Sequence, residues 1–173
     1  MSVPGVTFVL LDGGQAAAHE DDLLALRAEV YGPGDDDAEA ARRSRVWRRQ
    51  PGFALAQARH GGYLVGYASG MPLRSSTSWW KELTTPLPGE IVTEHPGRTF
   101  ALTELLVRAA WRRQGIGRSL QDLLLAGRGE ERATLTVAPG AAPAQAAFRR
   151  WGWTKLAHTQ SGLDVLVLDL PID

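Results

Sequence analysis

The chain of 173 residues contains no cysteine. This absence excludes disulfide bonds, thiolate metal sites and a covalent cysteine intermediate. The chain also lacks an excess of charge of either sign, because 19 basic residues balance 19 acidic ones. No global field then favours nucleic acid or an anionic membrane, so any recognition of an anion must be local.

Long hydrophobic runs are missing as well. No apolar stretch approaches the roughly 18 residues that a membrane span needs. The N-terminal segment has neither the basic flank nor the apolar stretch of a signal peptide. We therefore expect a cytoplasmic protein with no nucleic-acid partner and no membrane partner. The balance of 44% hydrophobic and 22% charged residues fits one globular domain, residues 1–173, with a sizeable core.

The arginine-rich segment Trp111–Arg118 lacks two common nucleotide-binding patterns. A dinucleotide-binding Gly-x-Gly-x-x-Gly sequence would need a third glycine where Leu120 stands. A Walker loop would need four residues between its glycines and then Gly-Lys-Ser or Gly-Lys-Thr, and nothing in the segment fits that spacing. A nicotinamide-linked oxidoreductase is therefore disfavoured.

The same segment nevertheless has the features of a phosphate-binding turn. A hydrophobic strand, Thr99–Val107, precedes several arginines and the pair Gly115 and Gly117, and an amphipathic helix follows. Backbone N–H groups at a helix N-terminus bind phosphate oxygens, and glycine lets the main chain approach such a ligand closely. The pattern predicts a pyrophosphate-bearing co-substrate.

A second patterned segment lies about thirty residues downstream. Ala133–Val137 is a short β-branched run, typical of a buried strand. Pro143 at a first helical turn and Gly152 after the last one predict a helix between them, ending in the pair Gly152-Trp153. The order strand–helix–strand–helix indicates a mixed α/β fold.

Together the two segments resemble the acetyl-CoA motifs of the GNAT superfamily of N-acetyltransferases. The consensus Arg/Gln-x-x-Gly-x-Gly/Ala corresponds to Arg112, Gly115 and Gly117, and the resemblance covers roughly Phe53 to Leu170. It implies an acetyl-CoA-dependent N-acetyltransferase in which a primary amine attacks the acetyl thioester directly. The implied fold is α/β (α+β), with a mixed, mostly antiparallel sheet of about seven strands and flanking helices.

Seven segments have the character of strands, and two of them form a hairpin around His60-Gly61-Gly62. The strands are Val6–Leu11, Phe53–Arg59, Tyr63–Met71, Thr99–Val107, Ala133–Val137, Trp153–His158 and Asp164–Leu170. A helix after His19 carries the apolar stripe Leu23, Leu26 and Val30, and the glycine-pair helix carries the stripe Ile116, Leu120, Leu123, Leu124 and Gly127.

A helix opened by Asp35-Asp36-Asp37 contains five closely spaced arginines. We interpret these arginines as a solvated face paired with Glu39 and the local aspartates rather than as a nucleic-acid site.

The resemblance also assigns the co-substrate contacts. The main chain of Leu105, Leu106 and Val107 would bind the pantetheine arm, and one of its N–H groups would face the acetyl oxygen. The turn would enclose the pyrophosphate with Arg112, Arg113, Gln114, Gly115, Ile116, Gly117 and Arg118, and Ser119 would add a hydroxyl.

Glu104 is the candidate general base. It stands in the otherwise apolar run Leu102–Leu106, where an unpaired carboxylate would be costly. Members of the superfamily often carry a glutamate on this strand that takes up the amine proton. The alternative is a structural ion pair between Glu104 and an arginine such as Arg74 or Arg108.

The general acid is the point at which the chain departs from the superfamily pattern. Many members place a tyrosine four residues before the glycine of the second motif, and that position is Phe148. The asparagine found upstream in many relatives is replaced by alanine. Either catalysis proceeds without this acid, or the protein is a catalytically weak acyl-CoA-binding sensor or partner module.

The acceptor amine, a small molecule or a peptide, and the oligomeric state stay open. Trp79 and Trp80, in the aperiodic stretch Pro72–Arg98, would line an acceptor pocket or pack on the core. The four histidines are scattered and have no partners at metal-binding spacing, so no metal site is expected.

Overall fold

The computed structural model describes residues 3–32, 34 and 37–171. Within these residues the strands are β1 (Val6–Asp12), β2 (Ala54–His60), β3 (Tyr63–Pro72), β4 (Thr99–Val107), β5 (Arg132–Val137), β6 (Thr154–His158) and β7 (Asp164–Asp169). The α-helices are α1 (Gly13–Ala17), α2 (Glu20–Tyr31), α3 (Asp37–Arg48), α4 (Gly89–Val92), α5 (Ile116–Leu125) and α6 (Ala142–Arg150).

The strands follow the order β1-β2-β3-β4-β5-β7-β6 in a seven-stranded sheet. The pair β4–β5 is parallel, because the chain passes through α5 between the two strands. The pairs β1–β2, β2–β3, β5–β7 and β6–β7 are antiparallel. The predicted fold class, a mixed and mostly antiparallel sheet of about seven strands with flanking helices, is confirmed.

The described residues form two compact units. The first unit contains the chain up to Met71 together with Thr103–Ala126, and the second contains Pro72–Leu102 and the chain from Gly127 onward. The assignment of one acyltransferase domain to residues 1–173 stays a prediction.

The core of the first unit lies between α2 and the β2–β3 hairpin. Leu23 and Leu26 of α2 pack with Leu55, Leu64 and other apolar side chains. The hairpin turn is Gly61-Gly62, and both glycines have a positive φ, as a tight two-residue turn requires.

The predicted apolar stripe of α5 is correct for three of its five positions. Ile116, Leu120 and Leu124 are almost fully buried, and Leu123 is half-buried. Gly127 does not belong to the stripe. It lies beyond the helix end, is exposed and has a φ of 64°, so it turns the chain away after Leu125.

Gly66 of β3 marks a close approach between backbones in the first unit. A Cβ built on Gly66 would lie 2.9 Å from the carbonyl oxygen of Leu106 and 3.2 Å from Leu120 Cδ1. We expect Gly66→Ala to lower the free energy of unfolding by about 1–3 kcal/mol, because the methyl group meets main chain in a packed core.

Thermal or denaturant unfolding measures this change. Gly89→Ala is the matched control, because Gly89 lies in α4 and its added Cβ has no neighbour within 4 Å. An alanine in a helix there leaves stability unchanged or raises it slightly. Equal stability of Gly66→Ala and the wild-type protein would show that β3 can move away from β4 without lowering the free energy of unfolding.

The second unit contains a small core built partly from the stretch that sequence periodicity could not assign. Leu73, Trp80 and Leu83 pack against Ala101 and Val165. In this stretch only the four-residue helix α4 and the isolated bridge Leu83↔Thr159 are regular. Irregular chain is held there by packing and side-chain hydrogen bonds rather than by periodic backbone structure.

Buried Glu94 provides the central polar contacts of that stretch. Its Oε1 accepts hydrogen bonds from Trp80 Nε1 at 3.0 Å and from Thr99 Oγ1 at 2.8 Å. Arg132 donates to the same oxygen at 3.1 Å, and its guanidinium lies 5.0 Å from the centre of the Trp80 ring. A buried carboxylate oxygen that accepts from three donors holds an irregular segment in one conformation, although Glu94 Oε2 is buried without a hydrogen-bond partner among the described residues.

The arginine-rich helix begins at Asp37 in the structure, and Asp35 and Asp36 lie outside the described residues. Among the described residues, the predicted pairing with Glu39 holds for Arg42. Arg45 Nε and Arg48 Nη2 instead bind Glu20 of α2, at 2.9 and 2.7 Å. Arg48 is 8% exposed and belongs to a packed contact between α2 and α3, whereas Arg42 and Arg45 are more than half exposed, as a solvated face requires.

The two arginines lower the pKa of Glu20 from 4.5 to about 2, mainly through their hydrogen bonds. A carboxylate with a lowered pKa in the folded state adds stability above pH 4.5, and this contribution is lost as the pH falls towards 2.

We therefore expect Glu20→Gln to lower the melting temperature at pH 7 and to differ progressively less from the wild-type protein between pH 4.5 and 2. Melting curves across this pH range test the expectation. Glu39→Gln is the control, since the Arg42–Glu39 pair is more than half exposed and screened by water. A Glu20→Gln defect that stays constant with pH would contradict the ionic origin.

Candidate active site

The phosphate-binding turn predicted from the sequence connects the end of β4 to the start of α5 in the first unit. A single 3-10 turn, Ala109–Trp111, follows β4, and Arg112 Nε donates to the carbonyl of Val107 at 2.9 Å. Arg113 and Gly115 both have left-handed backbone conformations, with φ of 61° and 86°. These two residues reverse the chain sharply enough for a helix to begin at Ile116.

The start of α5 offers unpaired backbone donors. Gly115 is the N-cap residue, and no side chain caps the helix. The first helical hydrogen bond runs from Ser119 N to Gly115 O, so the N–H groups before it have no acceptor inside the helix. Together with the positive end of the helix dipole, these donors favour an anion.

Side chains of the turn add positive charge around this helix start. Arg112, Arg113, Gln114 and Arg118 are exposed. Arg118 pairs with Asp122 one turn along α5, through contacts of 2.9 Å to both carboxylate oxygens. The guanidinium of Arg113 has no ion-pair partner in the part of the chain that the structure describes, so it is available to an anionic ligand.

The predicted co-substrate residues of β4 come directly before this turn in the sequence and belong to the same unit. Leu106 is buried in the core, and Leu105 and Val107 are half-buried. The N–H of Arg108 donates to Val65 O at 2.9 Å, which fixes the end of β4 against β3. The roles assigned to Leu105–Val107 and to the turn residues from Arg112 to Ser119 stay predictions.

Glu104, the predicted base, lies in the first unit with a side chain that is only 10% exposed. The hydroxyl of Tyr67, on β3, donates a short hydrogen bond to its Oε2. Nη1 of Arg27, on α2, lies 3.7 Å from its Oε1. The carboxylate is thus held by one neutral donor and one cation.

The predicted alternative, an ion pair of Glu104 with Arg74 or Arg108, names the wrong arginines. Arg108 is buried and pairs with Glu29 of α2, donates to Leu64 O at 2.7 Å, and covers the ring of Tyr63. Arg74 is exposed and lies in the second unit. The arginine that approaches Glu104 comes from a helix 77 residues earlier in the sequence, and no local pattern marks it.

Tyr67 is a partner of Glu104 that the sequence did not identify. Its side chain is buried, and burial together with the negative charge of Glu104 raises its pKa well above the ordinary value of 10.0. The phenol therefore stays a neutral hydrogen-bond donor throughout the physiological range. The sequence did contain a signal for this contact, because a tyrosine and a glutamate stand in two apolar strands and each needs a hydrogen-bond partner when buried.

The remaining candidates lie in the second unit. Phe148 of α6 is buried and packs edge-on against Trp151 and Trp153, with ring centres 5.5 and 5.9 Å away. Trp80 is buried in the small core, and Trp79 packs beside it. The two tryptophans therefore have the packing role that was the alternative to an acceptor pocket, and their contact with an acceptor stays a prediction.

No group of three or more histidine, aspartate or glutamate side chains in residues 3–32, 34 and 37–171 is arranged to hold a metal ion. Among the same residues, no helix combines the length and apolar character needed to cross a bilayer.

Comparison with known proteins decides the family. The model of the acetyltransferase (GNAT) family matches residues 20–153, which include both the Glu104 site and the α5 turn. The chain belongs to the GNAT family. No curated protein sequence matches it significantly, so the family assignment rests on the family model.

Solved GNAT structures share the fold of the chain. Ard1 from Thermoplasma volcanium superposes with a TM-score of 0.66 at 12% identity, covering 96% of this chain and 99% of that one. The PaiA N-acetyltransferase from Thermoplasma acidophilum gives 0.66 at 10% identity, with 98% and 99% coverage. The ribosomal-protein-S18-alanine N-acetyltransferase from Escherichia coli gives 0.63 at 16% identity, with 97% and 96% coverage.

Proposed function

We propose that this GNAT protein is an acetyl-CoA-dependent N-acetyltransferase that moves an acetyl group to a primary amine by direct attack. The observation that carries the proposal is the uncapped start of α5 after Gly115, surrounded by the arginines of the turn. Unpaired N–H groups and guanidinium groups at a helix start match the two negative charges of a pyrophosphate. The fold neighbour PaiA N-acetyltransferase was solved in complex with coenzyme A, which supports the same ligand here.

In this proposal the first unit supplies both binding and chemistry. The N–H groups of Gly115, Ile116 and Gly117 bind the pyrophosphate, with Arg112, Arg113 and Arg118 beside them, and Gln114 and Ser119 add polar contacts. The main chain of Leu105, Leu106 and Val107 binds the pantetheine arm. An N–H group of this strand stabilises the negative charge that develops on the acetyl oxygen, a contribution of about 3–4 kcal/mol.

Glu104 removes the proton that the attacking amine must lose. The amine nitrogen forms a bond to the acetyl carbon, the carbon–sulfur bond breaks, and coenzyme A leaves as the thiolate. One proton of the ammonium passes to Glu104 and then to solvent before attack. The second leaves the nitrogen as the amide forms and passes through solvent, and the thiolate takes up a proton from water. Tyr67 is a positioning residue in this scheme, because its hydrogen bond fixes one carboxylate oxygen and leaves the other for the amine.

The second candidate function is an acyl-CoA-binding sensor or partner module. It is favoured by Phe148, which has no hydroxyl with which to protonate the thiolate. We favour the enzyme, because a thiol of ordinary pKa near 8.5 leaves without strong acid catalysis. Acid catalysis also contributes only about 100- to 10,000-fold.

Phe148→Tyr separates the two functions. We expect measurable turnover by the wild-type protein and an increase in kcat of at most about 100-fold when the hydroxyl is added, the lower limit of general acid catalysis. The measurement is thiol release from acetyl-CoA across a panel of primary amines. Binding of acetyl-CoA without thiol release in either form would support the sensor and reject the enzyme.

A further inference from the structure

The ion pair beside the proposed base has an unusual geometry. Arg27 Nη1 lies 3.7 Å from Glu104 Oε1, which is too long for a hydrogen bond. In the described part of the chain, no residue accepts a hydrogen bond from the guanidinium of Arg27. Its five N–H donors therefore remain free next to a carboxylate that is already held by Tyr67.

Arg27 is nevertheless fixed in place. Its guanidinium lies over the ring of Tyr31, one turn later in α2, at 4.7 Å from the ring centre. The Arg27 side chain is 21% exposed and Tyr31 is 63% exposed, so both reach solvent. A guanidinium stacked on an aromatic ring keeps the donors along its edge available to a planar partner.

A second cation lies close to the same surface. Partial burial raises the pKa of Tyr31, and the charges of Arg27, Glu104 and Arg43 of α3 also act on this pKa. The guanidinium of Arg43 lies 5.3 Å from the centre of the Trp47 ring, so it too is stacked on an aromatic side chain. The surface next to Glu104 thus combines two cations with an exposed aromatic ring.

From this arrangement we propose that the acceptor is an α-amino acid with a free carboxylate, which Arg27 binds while Glu104 receives the amine. The proposal rests on the proposed acetyltransferase function. The anion-binding and cation-binding groups are adjacent, as are the carboxylate and ammonium groups of an α-amino acid. A guanidinium edge binds a carboxylate in a bidentate manner, and Tyr31 offers an apolar surface for the acceptor side chain.

Other amine acceptors fit this surface less well. A polyamine would bring a second positive charge towards Arg27 and Arg43, where like charges repel. A peptide N-terminus carries a neutral amide next to its amine, so the guanidinium edge would gain no charged partner.

The test compares acceptors with and without the carboxylate, and kcat/KM is expressed per concentration of free amine because a carboxamide makes the amine a weaker base. The standard amino acids, each paired with its carboxamide, are assayed for thiol release from acetyl-CoA, with isopentylamine and putrescine as amines without a carboxylate. We expect the wild-type protein to prefer the best free amino acid over its carboxamide by about 10- to 100-fold in kcat/KM. Arg27→Gln should bring this ratio close to one, and Arg27→Glu should favour putrescine.

The ratio of kcat/KM for an amino acid to kcat/KM for its carboxamide does not depend on how much of a variant is folded. A purely structural role of Arg27 would therefore leave this ratio unchanged. Arg42→Gln is the matched control, because Arg42 is 68% exposed and pairs with Glu39 on the same helix. Equal or better use of carboxamides by the wild-type protein, or an unchanged ratio in Arg27→Gln, would overturn the inference while leaving the acetyltransferase function intact. Absence of thiol release with every amine would reject both.

Discussion

Gly117→Val is expected to reduce the affinity for acetyl-CoA by at least about 100-fold. Gly117 is the second residue of α5, where the main chain must approach the pyrophosphate closely. A branched side chain holds the phosphate oxygens away from the N–H groups of the first turn. Each charge-assisted hydrogen bond contributes about 1.5–3 kcal/mol, so losing two of them accounts for the effect.

Isothermal calorimetry with acetyl-CoA measures this affinity, and a melting curve checks the fold. Gly129→Val is the control, because Gly129 is exposed, has no positive φ and would place its new Cβ in open space. Arg112→Ala should weaken binding less than Gly117→Val, since Arg112 is one solvated cation among several. Unchanged affinity in a folded Gly117→Val variant would mean that the α5 start does not bind the pyrophosphate.

Glu104→Gln is expected to lower kcat by about 100- to 10,000-fold at neutral pH, the usual contribution of a general base. The amide can still accept the hydrogen bond from Tyr67 and keeps the volume of the carboxyl group, so the fold should survive. Raising the pH should recover part of the rate, because the free-amine fraction rises about tenfold per pH unit below the amine pKa.

The pH–rate profiles of the wild-type protein and Glu104→Gln give the measurement. Glu82→Gln is the control for loss of one negative charge, since Glu82 is exposed and lies in the second unit. A Glu104→Gln profile that matches the wild-type profile in height and shape would make Glu104 a structural partner of Tyr67 and Arg27.

Much of the fold follows from local patterns in the sequence. The predicted strand Thr99–Val107 agrees with β4 at both ends, because a run of apolar and β-branched residues forms a buried strand wherever it pairs. The two-glycine hairpin and Gly152 after α6 were also predictable. Both depend on positive φ values, which glycine adopts without strain.

The short helix α1 follows directly on β1 and was not predicted, although the capping box between Asp12 and Gln15 that stabilises it is a local signal. Parts of the fold that depend on distant contacts were not predictable. Arg45 and Arg48 bind Glu20 because α2 and α3 pack together. The sequence of one helix predicts ion pairs only between residues three or four positions apart, so it could not predict this contact.

The candidate site likewise has one part that local sequence predicts and one part that depends on distant contacts. The turn from Arg112 to Ser119 is contiguous, so glycine spacing and arginine content indicated its chemistry. The environment of Glu104 comes from three separate elements, with Tyr67 on β3 and Arg27 on α2. A sequence shows that a carboxylate in an apolar strand needs partners, but the partners themselves are determined by tertiary packing.

Transfer of an isotopically labelled acetyl group from acetyl-CoA to an amine tests the central claim most directly. Mass spectrometry would follow the labelled product while a thiol reagent follows coenzyme A. We expect a labelled amide that forms only with added amine, in equal amounts with free thiol, and that is lost in Gly117→Val and strongly reduced in Glu104→Gln. Formation of no labelled amide with any primary amine, by a protein that binds acetyl-CoA, would contradict the account.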